Sequence, residues 1–303
     1  MRVSTSAMQQ SLISQMRNVQ TQLNTASEQS TTGIKSTNYA GVADQAYVLT
    51  SLSAEISQAT SYADLAESIQ SRVDVYYDSL STMTDVLTDM LSDLSAAQSS
   101  GTKTVIGLND SAQSALDTMA TLLNTQYEGR YLYAGSATDT VPVTVDSTTY
   151  GAITVPSSTD TSYYAGNDDV SSARVADGMT VDYGMTADMD MFENALRALN
   201  IAANASTDPI DSDALSEATS LINSALDGIG EQQTRMSSVH AQLESVIDMH
   251  TDFQLTAESM VSDLSEVDIA EAMVRLDTLS VQLEASYSAV AKVSDLSLFD
   301  YLR

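Results

Sequence analysis

The sequence predicts a mainly α fold: an elongated antiparallel bundle of long coiled-coil helices, with paired terminal helices and a small β-rich insert. Three observations predict it. Residues 1–35 and 265–303 are both amphipathic, helix-forming and free of proline. Two long apolar heptad patterns run between them. Between the heptads sits a Thr/Val/Tyr/Gly-rich stretch holding Pro142 and Pro156, two of the chain's 3 prolines. The chain then goes out along long helices, makes a β-like detour and returns, which leaves both termini at one end of a rod. That layout suits a subunit that polymerises through its paired ends.

Residues 6–32 place Met8, Leu12, Met16, Val19, Leu23 and Ala26 at helical spacing. The stripe is thin, so this helix is marginal alone and needs a partner surface. Gly33 and the 38–41 patch break it. The first heptad run then passes through Leu49, Leu52, Ile56, Ala59, Ala63, Ala66, Gln70, Val73, Tyr76, Leu80, Met83, Leu87, Met90 and Leu94, where Gln70 alone is polar. A 3.5-residue repeat sustained this long reads as coiled coil. The run spans roughly 70 Å of helix. The helix is expected over about 42–98, with Gly101 as C-cap. After a connector, Asp110 or Ser111 is expected to cap a helix carrying Ala112, Ala115, Leu116, Met119, Leu122 and Leu123, ending near Gly129.

Alternating apolar pieces at 141–145, 153–155 and 179–183 read as short strands joined by turns. Helix returns at about 189–205, and Asp208-Pro209 punctuates. Ser212 or Asp213 is expected to cap the second long helix. Its heptads run through Leu215, Ala218, Ile222, Ala225, Ile229, Gln232, Met236, Val239, Leu243, Val246, His250, Phe253, Ala257, Met260 and Leu264. Gln70, Gln232 and His250 are seam positions that could fix register. The phase slips near Ser265, which with Asp268 resembles a capping box. The last helix carries Met273, Leu276, Leu279, Leu283, Tyr287 and Val290 and stays apolar to Leu298, Phe299 and Leu302. Chain ends are usually polar, so an apolar end points to burial against another chain. The expected domains are 1–40 with 265–303 (terminal assembly), 41–136 with 188–264 (rod) and 137–187 (outer insert).

Composition excludes several functions. With 41 acidic and 12 basic residues the net charge is −29, whereas nucleic-acid binding needs a basic footprint. Anionic membranes would repel the chain, and no 18-residue apolar stretch exists for a membrane span. Such acidity keeps monomers soluble and apart before assembly. Cysteine is absent, which removes disulfides and thiolate metal sites. The opening Met1-Arg2-Val3-Ser4-Thr5 lacks an apolar core or small-residue cleavage site, so export is not expected to use a cleaved signal. His240 and His250 stand ten apart, so no helical metal pair forms. No nucleophile elbow or phosphate loop is present. Asp182, Asp188 and Asp190 lack calcium-loop spacing, and Asn167-Asp168-Asp169 reads as a solvated turn. No catalytic constellation emerges, and no enzyme activity, cofactor or metal is expected.

The ends carry a resemblance. Met1-Arg2-Val3-Ser4-Thr5, Ser30-Thr31-Thr32-Gly33-Ile34-Lys35, Gly129-Arg130-Tyr131-Leu132-Tyr133-Ala134-Gly135-Ser136 and Tyr163-Tyr164-Ala165-Gly166-Asn167 resemble segments of the bacterial flagellin family. So does the tail, from Ser262 through Asp268-Ile269-Ala270-Glu271-Ala272 and Gln282-Leu283-Glu284-Ala285-Ser286-Tyr287 to Leu296-Ser297-Leu298-Phe299-Asp300-Tyr301-Leu302. Where the family usually has a proline-flanked loop after Gly33, this chain has Asn38-Tyr39-Ala40-Gly41-Val42-Ala43-Asp44.

Within the family the likeness is greatest to the branch that joins hook to filament, ahead of filament flagellins. An unrelated coiled-coil adhesin or signalling rod is the alternative outside it. The resemblance implies an extracellular flagellar subunit that assembles with itself into a ring or short helical zone, beside a hook-associated neighbour and flagellin. It further implies type III export and a cytoplasmic chaperone on the C-terminal segment. The residues expected to form the assembly interface are Met8, Leu12, Val19, Leu23, Met273, Leu276, Leu279, Leu283, Tyr287, Val290, Leu298, Phe299 and Leu302.

Overall fold

The computed structural model of the chain describes residues 2–100, 107–206 and 209–301. Gly101, Asp208 and Leu302 therefore lie outside the described residues. Among these residues six α-helices and two small antiparallel sheets follow in the order α1 (Arg2–Thr32), α2 (Ala46–Ser100), α3 (Leu108–Leu123), β1 (Gln126–Tyr127), β2 (Arg130–Tyr131), β3 (Ser172–Ala176), β4 (Met179–Asp182), α4 (Asp190–Asn204), α5 (Ser212–Ser265) and α6 (Ile269–Tyr301), with a 3-10 turn at Tyr39–Val42. The fold is mainly α, as the heptads require. The chain divides into two compact units, 59–251 and 1–58 with 252–303, and α2 and α5 contribute to both.

In the unit 59–251, α2 and α5 run antiparallel. Gln98 Nε2 donates to Thr219 Oγ1 at 3.1 Å, Asp74 lies 3.5 Å from His240, and Tyr62 stacks on His250 at 5.5 Å. The heptad residues from Val73 to Leu94 and from Leu215 to Ile229 are buried in one core, joined by Leu116, Met119 and Leu123 of α3 and Phe192, Leu196 and Leu199 of α4. The seam corrects one expected position. Ile69 is buried and Gln70 only half-buried, so the stripe steps 66, 69, 73 and carries no polar defect there. Farther along α5, Ala257 is buried but Phe253 and Met260 are 39% and 50% exposed, outside the expected stripe.

Helix ends differ from expectation for identifiable reasons. Neither Asp110 nor Ser111 caps α3; Gly107 stands at the N-cap, and Asp110 lies in the first turn, where its charge meets the positive end of the helix dipole. The helix stops at Leu123 because the Asn124 side chain turns away to grip Val143, accepting from its N–H and donating to its carbonyl, both at 2.9 Å. Then β1 and β2 form a hairpin through Glu128 and Gly129, both at positive φ (51° and 75°), as a tight two-residue turn requires. The cap of α5 is Asp211, whose Oδ1 accepts from the Ala214 N–H. The cap of α6 is Asp268, whose Oδ1 accepts from Ala270 at 2.8 Å; the Ser265 hydroxyl instead donates back to Val261.

The insert is less regular than the alternating pattern suggests. Of the three expected strands only Met179–Asp182 forms one, paired with β3. Residues 141–145 make a single bridge, Val143 with Tyr164, and 153–155 make none. Side chains replace the missing ladder. Asn124 occupies both backbone groups of Val143, and the Ile153 N–H donates to Asn200 Oδ1 at 2.9 Å. Glu193, Arg197 and Asn200 of α4 are buried beneath this segment. There Glu193 pairs with Arg197 at 3.1 Å and accepts from the Asp160 N–H at 3.0 Å. Buried charges are tolerated only when paired and hydrogen-bonded in this way.

Candidate assembly interface

In the unit formed by 1–58 and 252–303, α1 packs on α6. Gly33, at φ +73°, ends α1, and its carbonyl accepts from the Val267 N–H at 2.9 Å. The Lys35 N–H donates to the Ser265 carbonyl at 2.7 Å, and Ile34 bridges Glu266. The end of α1 is thus held beside the start of α6, and the two helices run antiparallel. Val19, Ala26 and Leu279 are buried between them, with Leu23, Leu276 and Leu283 packed alongside.

This geometry sorts the expected interface residues into two sets. Val19, Leu23, Leu276, Leu279 and Leu283 make the seam of the intrachain helix pair. Met8, Met273 and Tyr287 are 56%, 54% and 50% exposed, and Leu12 and Val290 are half-buried. The side chains of Leu298 and Phe299 lie outside the described residues. Sequence reasoning missed Val274 and Val281, 66% and 67% exposed on α6, together with Ile269. It assigned one apolar stripe to α6, yet Val274 and Val281 repeat at seven residues just as Leu276 and Leu283 do. That second heptad was the available signal.

Sixteen large apolar side chains are exposed among the described residues, and eleven of them belong to this unit. They include Tyr47 at 85% and Leu255 at 62%. Beside them an open groove of about 710 Å³ is lined by Gln22, Ala26 and Gln29 of α1 and by Val274, Arg275 and Thr278 of α6. The helices also differ in charge. Residues 1–43 hold three basic residues and one acidic, whereas 263–303 hold three basic and eight acidic.

A clamp the sequence did not announce sits at the chain reversal. Lys35 Nζ donates to the carbonyls of Leu264 (2.7 Å) and Asp263 (3.1 Å), the last turn of α5, and Gln29 Nε2 donates to the Lys35 carbonyl at 2.9 Å. A cation there satisfies orphan carbonyls and complements the helix dipole.

The motif residues in the 59–251 unit do structural work. Tyr133 is fully buried, edge-on to Tyr76 (5.2 Å) and to Phe192 (5.4 Å). The Tyr76 hydroxyl donates to the Leu132 carbonyl at 2.6 Å, and the Tyr163 hydroxyl to that of Ala187 at 2.8 Å. Burial pushes all three phenols well above their ordinary range. Gly135, at φ +68°, lies so close to Asn167 that a β-carbon would collide with the Asn167 carbonyl oxygen. Asn167 Oδ1 accepts from the Ser136 N–H at 2.8 Å, and Ser136 Oγ donates to Asp169, so the turn ties two motifs together. Among the described residues no cluster of three His, Asp or Glu could hold a metal ion, and no helix is long and apolar enough to cross a membrane. His250 accounts for its place in the seam: its Nε2 lies 2.9 Å from the Val175 carbonyl of β3.

Comparison with known proteins agrees with this arrangement. The family model for the bacterial flagellin N-terminal helical region matches residues 3–138, and that for the bacterial flagellin C-terminal helical region matches 219–302. No curated protein matches the chain. A solved putative flagellar hook-associated protein from Vibrio parahaemolyticus is similar at 19% identity and TM-score 0.60, covering 72% of this chain and 96% of its own. FlgL of Bacillus cereus is similar at 16% identity and TM-score 0.57, covering 71% of this chain and 99% of its own. At these identities the likeness is one of fold.

Proposed function

The chain belongs to the flagellin family, and we propose that it is the structural subunit joining hook to filament, assembling through its paired terminal helices. The observation that carries this reading is the concentration of exposed apolar side chains in the unit holding both termini. Covering these side chains with neighbouring subunits would take their apolar surface out of water, the main driving force of protein association. Burial by neighbouring subunits would offset the ordering entropy of long helices that are marginal alone. The similarity to a hook-associated protein and to FlgL supports a junction subunit over a filament one.

In this reading 1–40 and 265–303 form the assembly domain, 41–136 and 188–264 the rod, and 137–187 an insert that faces outward. The chain acts mechanically, not as an enzyme. It works outside the cell, between a hook-associated neighbour and flagellin. A cytoplasmic chaperone covers the C-terminal segment beforehand, shielding the same apolar α6 face that the neighbours later cover.

Deleting the gene tests the reading. Hooks without filaments, with flagellin shed into the medium, are the expected result. Shortened or altered filaments would make the chain a filament subunit. Normal flagella would overturn the reading and return the chain to the class of unrelated coiled-coil rods.

A further inference from the structure

The unit 59–251 holds 28 acidic and 6 basic residues, so it carries −22 of the chain's −29. In so acidic a setting, every arginine would be expected to find a carboxylate. Arg174 does so with Asp177, and Arg197 with Glu193. Among the described residues, Arg72, Arg130 and Arg235 have no carboxylate within ion-pair distance. They also gather in one place. The Arg72 guanidinium lies between the rings of Tyr127 (5.6 Å) and Tyr183 (5.7 Å) and donates to the Tyr183 hydroxyl. Arg130 sits directly across the β1–β2 hairpin from Tyr127. Arg235 reaches the carbonyl of Asp182, next to Tyr183, at 3.5 Å. Among the described residues Glu128, in the turn beside Arg130, makes no ion pair. Arg130 is exposed, and Arg72 and Arg235 are half-buried with Arg72 Nε unpartnered.

Elsewhere in the same unit the opposite charge is arrayed just as regularly. Asp78, Asp85 and Asp89 lie on α2 at steps of seven and four, all exposed, and form a ridge of one sign along one helix face. Among the described residues none of the three makes an ion pair.

We propose that the Arg72–Arg130–Arg235 patch is a lateral contact that receives the acidic α2 ridge of a second copy of this chain. The proposal rests on the assembly reading above and adds to it a surface outside the terminal helices. Arginine is suited to the task, since its planar fork pairs bidentately with carboxylates while the tyrosines hold it in place. Patch and ridge are different surfaces, so the contact is heterologous, and a heterologous contact propagates into a ring or helix instead of closing a two-fold dimer. Unmatched, side-by-side copies of so acidic a unit would repel. The contact sets charge against charge at each repeat and fixes register and orientation.

The absence of cysteine in the native chain makes a direct test available. Flagella are assembled from an equal mixture of Arg130→Cys and Asp85→Cys chains and then oxidised. Disulfide-linked dimers that need both variants are expected, and dimers formed equally well by either variant alone would overturn the proposal. In parallel, the Arg130→Glu, Arg235→Glu double variant should incorporate at least about tenfold less with an unchanged circular dichroism spectrum. Combining it with Asp85→Arg, Asp89→Arg should restore incorporation. Normal incorporation of the first double variant sinks the patch, and failure of the charge swap to rescue sinks the second-copy partner in favour of another axial subunit. Removal of residues 270–303 is the control. If that truncated chain still assembles, the assembly reading itself fails, whatever the arginine variants do.

Discussion

Single residues in this chain earn their places by close approach and by hydrogen bonding, and each can be tested. Gly135 has no room for a methyl group against Asn167 and sits in the left-handed region. Gly135→Ala should destabilise the 59–251 unit by roughly 2–3 kcal/mol, read as a lower thermal midpoint. An unchanged midpoint would mean that the two motif turns are not locked. Tyr76→Phe removes the donor to the buried Leu132 carbonyl and should cost about 1–2 kcal/mol in a urea titration with unchanged slope. Asp146 gives a pH signature. Its carboxylate accepts from the hydroxyl and N–H of Thr148 and Thr149, and these bonds lower its pKa to about 2. A carboxyl depressed in the fold contributes stability above its ordinary value, and loses it as pH falls toward the folded value. The stability of Asp146→Ala should therefore fall less steeply than that of the native chain between about pH 4 and about pH 2. Parallel profiles would show that the turn does not persist in solution.

At the scale of elements, the two helix pairs are held by different chemistry. The α2–α5 pair of the 59–251 unit is an apolar seam in which Leu80, Met83, Leu87 and Ile222 are fully buried. The α1–α6 pair buries few side chains and relies on a polar clamp at the chain reversal. Lys35→Met keeps the aliphatic stem but removes the donor to Leu264 and Asp263. Amide exchange at Lys35 and Val267, whose N–H groups bridge the reversal, should accelerate on the order of tenfold, about 1.4 kcal/mol of local opening. Unaltered exchange would leave the backbone bridge alone as the clamp.

The α6 helix shows what heptads conceal. Reading Leu276, Leu279 and Leu283 from the sequence was sound, because they share a face. Which surface that face meets was not written in the spacing: it meets α1 of the same chain. The outward Val274 and Val281 stripe becomes visible only once α1 occupies the other side. The insert shows the converse. Alternation at 141–145 and 153–155 predicts strands, yet Asn124 takes both backbone groups of Val143 and Asn200 takes the Ile153 N–H, and no local pattern reveals side chains that reach in from 19 and 47 residues away.

At the scale of the whole molecule, the terminal unit should be dispensable for folding of the rest and indispensable for assembly. Removing residues 270–303 should abolish incorporation while residues 59–251 stay helical by circular dichroism. A truncated chain that still completes the hook–filament connection would refute the terminal-assembly reading. The finer test separates the two faces of α6. Leu283→Asp strikes the intrachain seam and should loosen α1, whereas Val281→Asp strikes the outward stripe it shares with Val274. It should block incorporation with α1 still packed, as measured by exchange protection of residues 19–26. Normal filaments from the Val281 variant would show that this face is not an interface.

The sequence by itself determined the mainly α class, the two long helices, the return of the chain, the absence of a basic footprint and the family. These follow from periodicity, charge and short motifs, all properties of residues near in sequence. Only the tertiary structure decided which stripe is internal and which stays exposed, that Ile69 and not Gln70 lies in the seam, and that Lys35 closes α5 across more than two hundred residues. It alone gathered Arg72, Arg130 and Arg235, which make no ion pair among the described residues, around two tyrosines drawn from distant segments. Those outcomes depend on where a face is pointed and on which side chain reaches a backbone group first. Both are fixed by packing between residues remote in sequence, and no one-dimensional pattern encodes them.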